Sequence, residues 1–148
     1  MIKNLNHVGM SVANLERSLR FYRDLLGMEV VAREAFSGAL YETILALRDA
    51  SGEVALVKLG NLELELFEFS SPAPLSGDLA RPVCNHGITH FCIEVSDIDN
   101  EYQRLKAAGV TFHCPPLEFP GYAKATYGRD PDGNVIEFLQ VDTAAKPS

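Results

Sequence analysis

L-N-H-V-G-M-S-V-A-N-L-E-R-S-L-R-F-Y-R-D-L-L-G (5–27) is answered later in the chain by I-T-H-F-C-I-E-V-S-D-I-D-N-E-Y-Q-R-L-K-A-A-G (88–109). In both stretches a His opens an alternating run, a Val follows five residues on, and an amphipathic pattern then runs to a Gly. Each copy also ends in a Glu-bearing apolar run, L-E-L-E-L-F-E-F at 62–69 and N-V-I-E-F-L-Q at 134–140. The chain therefore reads as one unit written twice, with two His and two Glu in register.

Working outward, Leu5, His7, Gly9 and Ser11 alternate with Val8, Met10 and Val12, the period of a strand. Asn14 is placed to cap a helix whose stripe is Leu15, Leu19, Tyr22 and Leu26, and Gly27 to end it. Met28–Ala32 reads as the next strand. In the second copy His90, Cys92 and Glu94 alternate with Phe91, Ile93 and Val95. Asp97 caps a helix with the stripe Ile98, Tyr102 and Leu105 before Gly109, and Val110–His113 is the following strand. The order strand–helix–strand–strand–strand, repeated, predicts an α+β protein.

The first copy is longer between its His and its Glu, and the excess falls in 36–51. There Leu40, Ile44 and Leu47 are spaced for a short helix, although Thr43 and Ile44 also suit a strand. Insertions of this kind tend to sit at a binding cleft. Residues 70–87, with Pro72, Pro74, Gly77 and Pro82, have the composition of a linker. The parse is one domain over 1–148, with module 1 at 1–70, a linker at 71–86, module 2 at 87–142 and a short tail at 143–148. The Pro- and Gly-rich connection 114–129 reads as a lid, and D-P-D-G-N (130–134) as a tight turn feeding the last strand.

Composition narrows the function classes. The 148 residues are 47% hydrophobic and 22% charged, ordinary for a globular chain, and the net charge is −7. No Lys/Arg run is present, which argues against nucleic acid or an anionic membrane surface as partner. Three cysteines, Cys84, Cys92 and Cys114, with no C-x-x-C pair, argue against a disulfide framework or a thiolate zinc site. The N-terminus lacks the apolar run of a signal peptide and no stretch is long enough to span a bilayer, so a cytoplasmic location is expected. P-loop, G-x-G-x-x-G, H-E-x-x-H and G-x-S-x-G patterns are missing.

The chemistry-bearing residues follow from alternation. If Leu62, Leu64 and Leu66 face a helix, then Glu63, Glu65 and Phe67 face away from it. If Ile136 and Phe138 face a helix, Val135, Glu137 and Leu139 face away. Carboxylates and imidazoles on an otherwise apolar face are costly unless paired or metallated. Two imidazoles and two carboxylates suit a divalent ion such as Zn, Ni, Co, Mn or Fe. Glu63 competes with Glu65 for the ligand role, and Glu65 is preferred because L-E-L-F-E aligns with I-E-F-L-Q around Glu137. Cys92 either approaches the site on the His90 face or, the preferred reading, is a small buried filler; His86 and His113 read as surface or structural residues.

His, then F-Y-R-D-L-L-G-M, then an E-L-type strand, then a second His and D-P-D-G-N-x-I-E: in this order the chain resembles the vicinal oxygen chelate superfamily, the glyoxalase/bleomycin-resistance/dioxygenase fold. The resemblance implies two tandem βαβββ modules forming a cupped, barrel-like mixed sheet with helices outside, around one divalent metal ion. It places the metal ligands on His7, Glu65, His90 and Glu137, and a homodimer is expected with it. Within the superfamily the chain is most like glyoxalase I and the metal-dependent epimerases. By that analogy Glu137, and Glu65 with it, moves the proton. Two glutathione-holding positions of glyoxalase I differ, being Ser11 and Phe69 here. Epimerases typically carry Gln where Glu65 stands, and their additional carboxylate base falls near Val54.

The expected function is that of a divalent-metal-dependent isomerase or lyase that abstracts a proton next to a carbonyl of a small-molecule substrate. Two alternatives stand beside it. One is a non-haem Fe(II) dioxygenase using His7, His90 and Glu137; the other is a non-catalytic ligand-binding or resistance protein of the same fold.

Overall fold

In a computed structural model that describes residues 1–142, the alternating run after His7 is strand β1 (Val8–Ser11). It pairs in parallel with β4 (Leu62–Ser71), which is antiparallel to β3 (Ser51–Leu59), itself antiparallel to β2 (Glu29–Ser37). The sheet order is β1-β4-β3-β2. The strand starts later than the alternation of Leu5–Val12 predicts. Val8 pairs with Leu64, two residues into β4, and the residues before Val8 are not part of the ladder.

Asn14 caps helix α1 (Leu15–Leu19) as expected, its side chain accepting from the Arg17 N–H at 2.8 Å. The helix then widens into a π turn over Arg20–Leu25, with Leu26 N–H donating to the Phe21 carbonyl at 3.0 Å. One extra residue per turn rotates the buried face. Phe21 joins Leu15, Leu19 and Tyr22 in the core, and Leu26, expected there from an unbroken helical period, is only half-buried. Gly27, at φ 75°, ends the segment in the left-handed region. Against these helix residues lie the buried Leu64 and Leu66 of β4 with Ala55 and Val57 of β3. Each such Leu, taken from water, is worth about 1.5–3 kcal/mol. Glu68 lies on that same face of β4 and accepts from the Leu15 N–H at 2.6 Å, closing the helix start from the sheet side.

The insertion is a short helix, α2 (Ala39–Leu45), preceded by a β2 that runs on to Ser37 instead of stopping near Ala32. α2 buries no residue, and Leu40 and Ile44 face outward. It is anchored by Tyr41, whose ring lies 5.2 Å from Phe36 in a cluster with Phe67 and Phe69.

The second unit is built on β5 (Phe91–Glu94), parallel to β9 (Val135–Val141), with β8 (Ala123–Arg129) antiparallel to β9 and β6 (Thr111–Phe112) antiparallel to β8. The order β5-β9-β8-β6 matches that of the first sheet, and neither sheet closes among the described residues. Helix α3 (Ile98–Ala107) buries Ile98, Tyr102 and Leu105, the expected stripe. Asp97 accepts from the Asn100 N–H at 3.2 Å, and Gln140 accepts from the Ile98 N–H at 2.8 Å, in the role Glu68 plays for α1. The segment expected as a lid is instead tied to the sheet: β7 (Leu117–Phe119) pairs with β8, and the Thr126 hydroxyl donates to the Cys114 carbonyl at 2.6 Å.

Contacts divide the chain into two compact units, Met1–Ser76 and from Gly77 on, a boundary inside the stretch read as linker. The later part of that stretch packs on the second unit. Arg129 donates to the Arg81 carbonyl at 3.0 Å, and the backbone of Leu79 lies so near Gly133 that a Cβ there would meet it at 2.6 Å. Gly133, at φ 84°, is thus required twice over in the D-P-D-G-N turn. Buried Asp130 organises the turn, accepting from the Asp132 and Asn134 backbones and the Asn134 side-chain amide. The tail expected at 143–148 lies outside the described residues.

Candidate functional site

Each parallel ladder sets its Glu two residues from its His in the same way. Gly9 stands opposite Glu65 in the first, and Cys92 opposite Glu137 in the second. His7 and His90 lie one residue before β1 and β5. From there His7 Nε2 reaches Glu65 Oε2 at 3.1 Å, and His90 Nε2 reaches Glu137 Oε2 at 3.1 Å. Glu63, the competing carboxylate, is engaged elsewhere: it takes the Lys58 ammonium at 2.5 Å across the β3–β4 ladder.

Both imidazoles are also held from behind. His7 Nδ1 contacts Asn6 Oδ1 at 2.8 Å, and His90 Nδ1 contacts Thr89 Oγ1 at 3.0 Å. A hydrogen bond at Nδ1 fixes the ring's orientation, and with Nδ1 as the donor the Nε2 lone pair is left for a cation. Neither residue was legible as functional, because Asn6 and Thr89 differ in type and carry no repeat signal.

The surroundings of the two pairs differ. Beside Glu65 stand Gly9 and Leu56, with the Phe67 ring lying 3.8 Å from where a Gly9 Cβ would sit. Beside Glu137 stand Cys92 and Tyr127. The Tyr127 ring is 4.9 Å from His90 and 6.0 Å from His113. Desolvation and then the Glu137 carboxylate push the Cys92 thiol up to about 12, so it stays protonated and hydrogen-bonds Glu137. Cys92 is an exposed residue opposite Glu137 on the site face, the first of its two readings, and not the buried filler preferred from its size. Burial and then Glu137 also raise the Tyr127 phenol, keeping it a donor. His113 is pushed down by burial and by Arg129, so it is neutral at pH 7. His86 is exposed.

The donor set fits a divalent cation. Bonds of about 2.1 Å at near-right angles put neighbouring ligand atoms about 3 Å apart, as the 3.1 Å His–Glu separations are. Among the described residues no group of three or more His, Cys, Asp or Glu is gathered as a metal cluster, and the sequence-predicted ligands come in these twos.

The model of the Glyoxalase/Bleomycin resistance protein/Dioxygenase superfamily matches residues 4–138. The chain belongs to this superfamily. An ethylmalonyl-CoA/methylmalonyl-CoA epimerase of Cereibacter sphaeroides is 34% identical over 95% of this chain and 100% of its own. A lactoylglutathione lyase of Neisseria meningitidis is 27% identical, over 92% of this chain and 89% of its own. A glyoxalase family protein of Bacillus cereus, at 20% identity, superposes with a TM-score of 0.88 over 95% of each chain, which shows the shared glyoxalase fold. The relatives thus include an epimerase, a lyase and, at 28% identity over 93% of this chain, a metallothiol transferase FosB of Staphylococcus saprophyticus. No helix among the described residues is long and apolar enough to cross a membrane.

Proposed function

We propose that the protein is a divalent-metal-dependent isomerase or lyase of epimerase or glyoxalase type, moving a proton at the carbon next to a carbonyl of a small substrate. The observation that carries this reading is the duplicated pair: an imidazole Nε2 and a carboxylate Oε2 at 3.1 Å, twice, with each ring oriented from its Nδ1 side. An ion of Zn, Ni, Co, Mn or Fe held by His7, Glu65, His90 and Glu137 would supply Lewis-acid polarisation of the substrate's carbonyl, acidifying the neighbouring C–H.

The residues then divide the work. Glu137 removes the proton; in an isomerisation it returns it to the adjacent carbon, and in an epimerisation Glu65 delivers a proton to the opposite face. Cys92, kept protonated, hydrogen-bonds Glu137 and holds the carboxylate in place, and Tyr127, also kept protonated, stands opposite it across the β8–β9 ladder. Glu65 balances the cation's charge and is the second carboxylate able to take or give a proton. Asn6 and Thr89 keep the imidazoles aimed. In accord with the resemblance, the working species is a homodimer.

Methylmalonyl-CoA, ethylmalonyl-CoA and the glutathione hemithioacetal of methylglyoxal are the first substrates to try, in D₂O, with the protein demetallated and then reloaded with each ion. The expected result is metal-dependent deuterium incorporation at the carbon next to the carbonyl. Full turnover by demetallated protein, or turnover that requires O₂, would contradict the reading.

A further inference from the structure

Beside the His90–Glu137 pair, the face of the second sheet hollows into a cleft of about 220 Å³. Its walls are Leu117 and Phe119 of β7, Ala125 and Tyr127 of β8, and His113, with Glu137 at one side. Leu117 and Phe119 are large apolar side chains left 56% and 54% exposed on an edge strand, and both turn a side to this cleft. The polar groups in it are already committed or uncharged. The Thr126 hydroxyl donates to the Cys114 carbonyl, and His113 is held neutral. Apart from Glu137 the cleft offers no charge that would hold an ionic group.

We infer that this cleft receives an uncharged apolar substituent of the substrate, borne next to the oxygens that meet the His90–Glu137 pair. The inference rests on the metal-dependent reading above and names its substrate class. That class is small compounds with adjacent oxygens whose neighbouring group is hydrocarbon, up to about the size of a phenyl ring, since an apolar cavity of roughly 150 Å³ takes a benzene molecule. Continuity settles the occupant: Glu137, which takes the proton, is itself a wall of the cleft, so a group filling it is attached at or beside the reacting carbon.

Hydroxamates test this, because they present two adjacent oxygens to a divalent ion and vary only in their tail. Cobalt-loaded protein is titrated calorimetrically with acetohydroxamate, benzohydroxamate and the monohydroxamate of succinate. Benzohydroxamate should bind about tenfold or more tighter than acetohydroxamate, from the apolar area it buries, and the succinate compound no tighter than acetohydroxamate. In Leu117→Glu, an exposed edge position, the phenyl preference should fall to about twofold or less.

Equal affinities in the wild type overturn the inference, as does a phenyl preference that survives Leu117→Glu. So does a Leu117→Glu protein that loses self-association while keeping the preference, since Leu117 and Phe119 would then serve a second copy of the chain. If no hydroxamate binds the cobalt-loaded protein, the chelating reading fails, and the cleft is decided separately by benzyl alcohol on metal-free protein. Amide shifts confined to Leu117, Phe119 and Ala125 would support an apolar subsite; their absence would overturn it.

Discussion

The His7–Glu65 and His90–Glu137 pairs have the same 3.1 Å separation and opposite neighbourhoods. The first is the more open, with side chains 39% and 31% exposed against 28% and 19% in the second. Around Glu65 the sheet offers Gly9, Leu56 and Phe67, none of which donates a hydrogen bond from its side chain. Around Glu137 it offers a thiol and a phenol, both held in their donor forms, and an apolar cleft. The His–Glu spacing is therefore the same in both units, while the thiol, the phenol and the cleft stand beside the second pair only. This favours Glu137 as the proton carrier and Glu65 as the charge-balancing ligand.

The comparison breaks most sharply at the two carboxylates. Glu137→Gln should lower kcat by about 10³-fold, the usual contribution of a positioned base. Glu65→Gln keeps the amide oxygen as a donor and should cost roughly tenfold, mostly in metal affinity. Equal losses in steady-state kinetics would mean that both units do the same chemistry.

The ring supports come next. Asn6→Ala and Thr89→Ala should each weaken metal binding by about thirtyfold in competition with a chromogenic chelator. Thr89→Ala should also change kcat, because the ring it frees belongs to the pair beside the cleft. A loss of kcat without loss of metal would place Thr89 in substrate binding instead.

The smallest effects separate the units as folds. Glu68 and Gln140 occupy equivalent places, each accepting from the first N–H of its helix. The charged acceptor should matter more. Glu68→Ala should destabilise by about 2 kcal/mol and Gln140→Ala by about 1 kcal/mol in urea unfolding. The reverse order would show that packing of α1 and α3, rather than the acceptor, sets their anchorage.

Much of this was legible in the chain. Alternation placed Glu65 and Glu137 away from the helices, and the Asn14 and Asp97 caps were readable because their side chains act on N–H groups of the same turn. What escaped depends on contacts between distant residues. The π turn at Arg20–Leu25 moves Phe21 inward and Leu26 outward, a shift that a helical period assumes away. The lid expected at 114–129 became two strands, β8 paired with β9 and β7 turned back onto β8. Strand pairing also put Tyr127 opposite Glu137, whereas the equivalent position in the first sheet is Leu56, so the repeat could not announce it. Alternation does put Cys92 on the His90 face; its exposure there is what its small size does not predict.

The most direct test is metal content by mass spectrometry on protein purified without chelator, for the wild type, His7→Ala and His90→Ala. The account predicts about one divalent ion per chain in the wild type and loss of most of it in each variant, because it proposes a single ligand set made of all four residues. A wild type that binds no divalent ion even after reloading, or a His7→Ala protein that keeps its full complement, would contradict it.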